Sequence, residues 1–90
     1  MGEVYYSYVI IGDDLKVTHS EWNGESTTVH FEQPSMGVYF KTADCIVPGY
    51  KVSNISCFDA DEVSRLVEFC KANSELLIKY SKCGGIANAV

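Results

Sequence analysis

The stretch FDADEVSRLVEFCKANSELLIKYSKC, residues 58–83, decides the fold class of this chain. Apolar residues recur in it at intervals of three and four positions, and this spacing is typical of an amphipathic helix. The predicted apolar stripe consists of Val63, Leu66, Val67, Cys70, Leu77 and Tyr80. A helix with one apolar face needs a second layer to pack against, so the rest of the chain has to supply that layer.

Both ends of this helix carry recognisable signals. Asp59 is predicted to cap the N-terminus, and Glu62, three residues later, completes a capping box. Gly84 is a typical residue to follow a helix C-terminus, because glycine adopts the left-handed conformation easily. One long helix is therefore predicted over residues 59–83. Its weakest point is Asn73 with the serine that follows, because both compete for backbone hydrogen bonds.

In residues 1–58 the apolar residues do not follow the helical spacing. Five segments rich in β-branched and aromatic residues are separated by turn-forming residues, at 3–11, 15–22, 27–33, 38–47 and 50–58. Regularly spaced turn signals of this kind are typical of an antiparallel meander. The sequence therefore predicts a single α+β domain, 1–90. An antiparallel β-meander of four or five strands has the long helix packed on one face, and residues 84–90 form a tail.

Length and composition limit the class of protein. Ninety residues make one domain, and 47% hydrophobic residues are too many for a disordered chain. The net charge of −5 argues against direct nucleic-acid binding, which needs a basic surface. The sequence has no stretch apolar enough to span a membrane and no secretory signal, so a cytoplasmic protein is predicted.

Acidic residues are concentrated in residues 1–58, which carry seven of them against three lysines. The candidate acidic surface consists of Glu21, Glu25, Glu32 and Asp44. Such a surface commonly keeps a small protein soluble, and it can also attract a basic protein partner.

The four cysteines, Cys45, Cys57, Cys70 and Cys83, are widely spaced. Zinc sites usually contain close pairs such as C-x-x-C, and none occurs here. Free thiols are therefore predicted, with a disulfide as the alternative. Cys70 falls among apolar helix positions and is expected in the core. Cys83, next to two glycines, is the thiol expected to be exposed and reactive.

The stretch THSEWNGESTTVHF, residues 18–31, contains both histidines and is typical of a β-hairpin. A three-residue loop ending at Gly24 would pair Val17 with Val29. A two-residue Asn-Gly turn would shift the register by one and place Val17 opposite a polar residue. The first register is preferred, because apolar residues then meet apolar partners.

The preferred register also separates the two histidines. It pairs His19 with Thr27 on the apolar face, whereas His30 lies on the other face beside Glu32. Side chains alternate along a strand, so the two imidazoles cannot share a metal ion. No metal site and no cofactor are predicted.

No local motif supports catalysis. Nucleophilic catalysis needs a nucleophile beside an oriented base, and no such arrangement is visible in the sequence. The glycine pair at 84–85 follows a helix, whereas a phosphate-binding loop would open one. The chain is therefore predicted not to be an enzyme.

About two thirds of the chain carries a recognisable layout, in the segments VHFEQP, GYKV, FDADEVSRLVEFCKANSELLIKYSK and CGG. In this layout the chain resembles small uncharacterised bacterial proteins made of a short β-meander and a C-terminal helix. Some of those proteins lie beside toxin–antitoxin genes and carry a strand of the form P-P-H-F-H. This chain has only His30-Phe31 there, so the resemblance implies the fold and carries over no catalytic residue.

Six aromatic residues exceed what one helix can cover and are predicted to form an interface: Tyr5, Tyr6, Tyr8, Trp22, Tyr39 and Phe40. We therefore expect a small acidic non-catalytic binding module that acts through protein–protein interaction. Its partner would be a second copy of the chain, in a homodimer, or a basic protein. One alternative is an inhibitor of the kind phages encode, whose acidic surface blocks a nucleic-acid-binding site. The other alternative is a small enzyme that uses Cys83 or His30.

Overall fold

The computed structural model describes residues 4–12, 14–34 and 40–85, which form five strands and two helices. The strands are β1 (Tyr5–Ile11), β2 (Leu15–Ser20), β3 (Thr27–Pro34), β4 (Phe40–Val47) and β5 (Lys51–Ser56), and the helices are α1 (Ala60–Ala72) and α2 (Ser74–Cys83). Tyr39 of the predicted interface and residues 86–90 of the predicted tail lie outside the described residues.

The five strands form one antiparallel sheet in the order β1-β2-β3-β4-β5. Each strand pairs with its neighbours in sequence, which confirms the predicted meander, and the helices complete an α+β fold. Of the described strands, β1 and β5 form the two edges. No helix in the described part of the chain is long and apolar enough to cross a membrane.

The register of the β2–β3 hairpin differs from the predicted one by two residues. Val17 pairs with Phe31, where Val29 was expected, and His19 pairs with Val29. A shift of two residues leaves every side chain on its predicted face. His19 is buried on the helix side, and His30 lies on the other side, so the predicted separation of the two imidazoles is confirmed.

The hairpin loop is longer than the three residues predicted, because the side chain of Asn23 closes it. Its Oδ1 accepts hydrogen bonds from the backbone N–H groups of Glu25 and Ser26, at 2.9 and 2.8 Å. Asparagine readily forms this kind of side-chain turn. β3 begins at Thr27, where the strand was predicted to begin, but each β2 residue pairs with a β3 residue two positions further along than predicted.

The helical layer consists of two helices, and the prediction of one long helix is wrong. α1 begins at the predicted capping box, in which Asp59 and Glu62 accept hydrogen bonds from each other's backbone N–H groups. The break falls at Asn73, whose Nδ2 donates to the carbonyl oxygen of Phe69 at 2.9 Å. In this bond the Asn73 side chain competes with the backbone for hydrogen bonds, as expected of an asparagine inside a helix. α2 ends at Gly84, which has the predicted left-handed conformation, with φ 80°.

The core lies between the two helices and one face of the sheet. Its buried members are Val17, Val29, Phe31, Ala43, Cys45, Val47, Leu66, Cys70 and Leu77. The ring of Phe31 packs edge-on against Phe69, with 5.9 Å between the centroids. Side chains alternate along each strand, so the sheet's other face carries Thr18, Thr28, His30, Glu32, Thr42 and Asp44. This second face is called the open face below.

Candidate functional site

Exposed apolar side chains are concentrated at one edge of the sheet. Among the described residues, five of the eight exposed large hydrophobic side chains lie in or next to β1: Val4, Tyr5, Val9, Ile10 and Ile11. These five residues are called the β1 edge patch. Ile10 is the most exposed of them, at 64%. A concentration of exposed apolar side chains along one strand commonly marks an interaction site.

The β1 edge patch covers both sides of the strand. Ile10 pairs with Lys16 and lies on the open face, whereas Val9 pairs with the buried Val17 and lies on the helix side. Apolar side chains of β1 are therefore exposed to solvent on both faces of the sheet.

The opposite edge of the sheet is different. β5 begins with Lys51, and Asn54 within it has a left-handed backbone, with φ 52°. A charge and an irregular backbone discourage edge-to-edge pairing. β1 also contains a bulge, between Ser7 and Val9. Residues 4–11 nevertheless carry no charge and no proline, so the β1 edge lacks the strongest of these deterrents.

A groove of about 320 Å³ continues the β1 edge patch on the helix side. It is lined by Tyr8, Val9, Ile11, Phe69, Asn73, Leu76 and Tyr80. Leu76 of α2 is 43% exposed, so the helical layer adds an apolar side chain of its own to this surface. The groove can accept the apolar side chains of a partner that lies along β1.

The predicted aromatic interface is divided by the structure. Tyr6, Tyr8 and Trp22 are half-buried on or near the helical layer. Tyr5 belongs to the β1 edge patch, and Phe40, at the start of β4, is 50% exposed. Three of these aromatic side chains are therefore partly covered, and two are exposed.

The aliphatic members of the β1 edge patch, and Leu76, were missed by sequence analysis. A signal for them existed. The first strand of a meander is an edge strand unless another segment covers it, and the run at 4–11 contains no charged residue. A prediction based on aromatic residues alone therefore leaves out the aliphatic side chains at both ends of the same strand.

His30 lies in the middle of the open face, between two carboxylates. Its Nδ1 is 2.5 Å from Oδ1 of Asp44, and its Nε2 is 3.6 Å from Oε1 of Glu32. The other oxygen of Asp44 accepts a hydrogen bond from Nδ2 of Asn54, at 2.9 Å. A cleft of about 390 Å³ lies here, lined by Tyr5, Lys16, Thr18, His30, Glu32 and Asp44. An oriented imidazole can act as a base or as a metal ligand.

The four carboxylates of the predicted acidic surface lie in two places. Glu32 and Asp44 are on the open face, where Lys16 pairs with Glu32 across the strands. Glu21 and Glu25 are exposed in the β2–β3 loop. The open face therefore carries both signs of charge.

The four cysteines are free thiols. Cys57 and Cys83 are exposed, whereas Cys45 and Cys70 are buried between sheet and helix. A hydrogen bond with Cys45, and then burial, raise the pKa of Cys70. Cys83 is thus as accessible as predicted, and Cys57 is a second accessible thiol that was not singled out.

Within residues 4–12, 14–34 and 40–85, no three His, Cys, Asp or Glu side chains are placed to hold a metal ion together. Comparison with known protein families, with curated proteins and with solved structures gives no match for this chain.

Proposed function

We propose that this protein is a protein–protein interaction module that forms a homodimer, in which β1 pairs with β1 of a second copy. The observation that supports the proposal is the β1 edge patch, an uncharged strand at the edge of the sheet with exposed apolar side chains on both sides. Addition of a strand to such an edge provides main-chain hydrogen bonds together with apolar contacts.

The shape of the patch favours a strand as the occupant. A helix or a flat surface docked on one side would cover Val9 and Ile11 but leave Ile10 in water, or the reverse. A strand placed beside β1 projects its own side chains to both sides of the sheet, so it covers both halves of the patch. The groove next to Leu76 then receives the partner's side chains on the helix side.

The chemistry of the strand favours a second copy of the same chain. Antiparallel pairing of a strand with itself has two-fold symmetry, the commonest arrangement in homo-oligomers. Like charges in the strand would oppose such pairing, and residues 4–11 contain none. A basic partner would find no acidic residue within this strand. The dimer would join two sheets into one.

The experiment that tests this proposal compares two variants of one residue type on the two sheet edges. Ile10→Lys places a charge in the β1 edge patch, and Ile55→Lys makes the same change on β5, where Ile55 is 48% exposed. Sedimentation equilibrium is run in reductant, so that Cys57 and Cys83 cannot cross-link copies. We expect a dimer for the wild type and for Ile55→Lys, and a monomer for Ile10→Lys.

Two results would overturn the proposal. One is a wild-type protein that is monomeric throughout the accessible concentration range. The other is a dimer that dissociates in Ile55→Lys but persists in Ile10→Lys, which would place the interface at the other edge. Circular dichroism of each variant checks that the fold is retained.

A further inference from the structure

We propose that Nε2 of His30 and the carboxylate of Glu32 chelate a divalent transition-metal ion on the open face of the sheet. The two residues are separated by one position on β3, so their side chains project from the same face. Both donor residues lie on β3, the third strand from the β1 edge, so binding of the ion does not require the homodimer, although Tyr5 of the β1 edge patch lines the same cleft.

The distance between the two donor atoms fits a shared metal better than a direct bond. Nε2 of His30 and Oε1 of Glu32 are 3.6 Å apart, which is longer than the usual range for a hydrogen bond. With metal–ligand distances of about 2.1 Å, donors at this separation subtend about 120° at one metal ion. That angle is near tetrahedral, so both atoms can bind one ion with little rearrangement.

The imidazole already has the partner that metal-binding histidines usually have. Nδ1 of His30 lies 2.5 Å from Oδ1 of Asp44, so a neutral ring donates its Nδ1–H to this carboxylate and leaves the Nε2 lone pair for a metal. Asp44 is itself held by Asn54 and is only 15% exposed. Asp44 and Asn54 therefore already supply the hydrogen bonds that orient a metal-binding histidine.

The cleft beside these donors provides room for the remaining ligands. Its volume of about 390 Å³ is enough for several water molecules or a small external ligand. Two protein donors do not fill the coordination sphere of a transition metal, so the ion would keep open positions. One imidazole and one carboxylate suit Zn²⁺, Ni²⁺ or Co²⁺, whereas an all-oxygen site would suit Mg²⁺ or Ca²⁺.

The experiment that tests the site uses Co²⁺ as the probe. Calorimetric titration measures the affinity of the full chain, and paramagnetic line broadening in its NMR spectrum locates the ion. A Cys57→Ser/Cys83→Ser background removes the exposed thiols, which also bind Co²⁺. The variants are His30→Gln, Glu32→Gln and Asp44→Asn, with Glu25→Gln as the control for loss of one exposed carboxylate.

We expect broadening centred on His30 and Glu32. His30→Gln should abolish binding, Glu32→Gln should weaken it at least about tenfold, and Asp44→Asn should weaken it about ten- to a hundredfold, as loss of an outer-shell partner does. Glu25→Gln should change nothing. The proposal is overturned if the thiol-free protein binds no Co²⁺, or if its affinity is the same in His30→Gln. Equal melting temperatures of the variants show that any loss is local.

Discussion

Tyr8 and Asn73, sixty-five positions apart in the chain, are joined by a hydrogen bond of 2.8 Å from the Tyr8 hydroxyl to Oδ1 of Asn73. The same asparagine donates through Nδ2 to the carbonyl oxygen of Phe69. One side chain therefore both marks the break between α1 and α2 and fastens the edge strand β1 to the helical layer. This bond holds β1 in place while its outer edge remains exposed.

Removal of the Tyr8 hydroxyl should lower the free energy of unfolding by about 1 kcal/mol, since a buried or half-buried hydrogen bond contributes about that much. The measurement is chemical denaturation of Tyr8→Phe. Tyr50→Phe is the control, because the Tyr50 hydroxyl makes no hydrogen bond with any of the described residues. Loss of this hydroxyl should cost less than about 0.5 kcal/mol. Equal losses in the two variants would show that the Tyr8–Asn73 bond contributes nothing specific.

Two adjacent leucines of α2 should differ strongly in their effect on stability. Leu77 is fully buried in the core, whereas Leu76 is 43% exposed at the groove. Leu77→Ala should lower the free energy of unfolding by about 2–5 kcal/mol, because it leaves a cavity. Leu76→Ala should lower it by less than about 1 kcal/mol. Similar values for the two variants would contradict the helix orientation.

Acid should weaken the fold partly through Glu62. A hydrogen bond from Lys41, and then one from the backbone of Asp59, hold the pKa of Glu62 below its ordinary value of 4.5. Above pH 4.5 the contribution of Glu62 to the free energy of unfolding is fully present. As the pH decreases below 4.5, the unfolded chain takes up the proton on Glu62 more readily than the folded chain, so this contribution is lost. Denaturation between pH 7 and pH 3 should therefore show a shallower decline for Glu62→Gln than for the wild type.

The control for this pH dependence is Glu68→Gln, a change at an exposed position of the same helix. It removes one carboxylate from α1 and leaves the contact between Lys41 and Glu62 intact. A wild type and a Glu62→Gln variant with parallel pH profiles would show that the interaction with Lys41 does not stabilise the fold.

The four thiols should react in two classes with an aromatic disulfide reagent. Cys57 and Cys83 are exposed and should react quickly in the native protein. Cys45 and Cys70 are buried, and the raised pKa of Cys70 keeps that thiol protonated, so this pair should react only after denaturation. Four fast thiols in the native protein would contradict the burial of this pair.

The proposed dimer should persist, or become tighter, when the salt concentration increases. Its interface is apolar, and the two chains carry −5 each, so salt screens a repulsion rather than an attraction. Sedimentation at low and high NaCl measures this dependence. A dimer that dissociates in salt would indicate an interface held by charges, and the β1 edge patch would not explain it.

The sequence by itself determined the features that depend on local spacing. The α+β class follows from the change of apolar period near residue 58, and the capping box at Asp59 follows from two residues three positions apart. The opposite placement of His19 and His30 also follows, because parity along a strand is unchanged by a register shift of two.

Only the tertiary structure decided what depends on contacts between distant residues. The hairpin register rests on the side-chain turn at Asn23. The predicted three-residue loop and the observed longer loop both place Val17 opposite an apolar residue, Val29 or Phe31, so the apolar pattern does not distinguish them. The contact of His30 with Asp44 rests on the β3–β4 pairing, which local periodicity does not specify. The exposure of Ile10 rests on the place of β1 at the sheet edge and on the packing of both helices against the opposite face of the sheet. Spacing predicts the face on which a side chain lies, but the neighbours of that side chain are set by the packing of the whole chain.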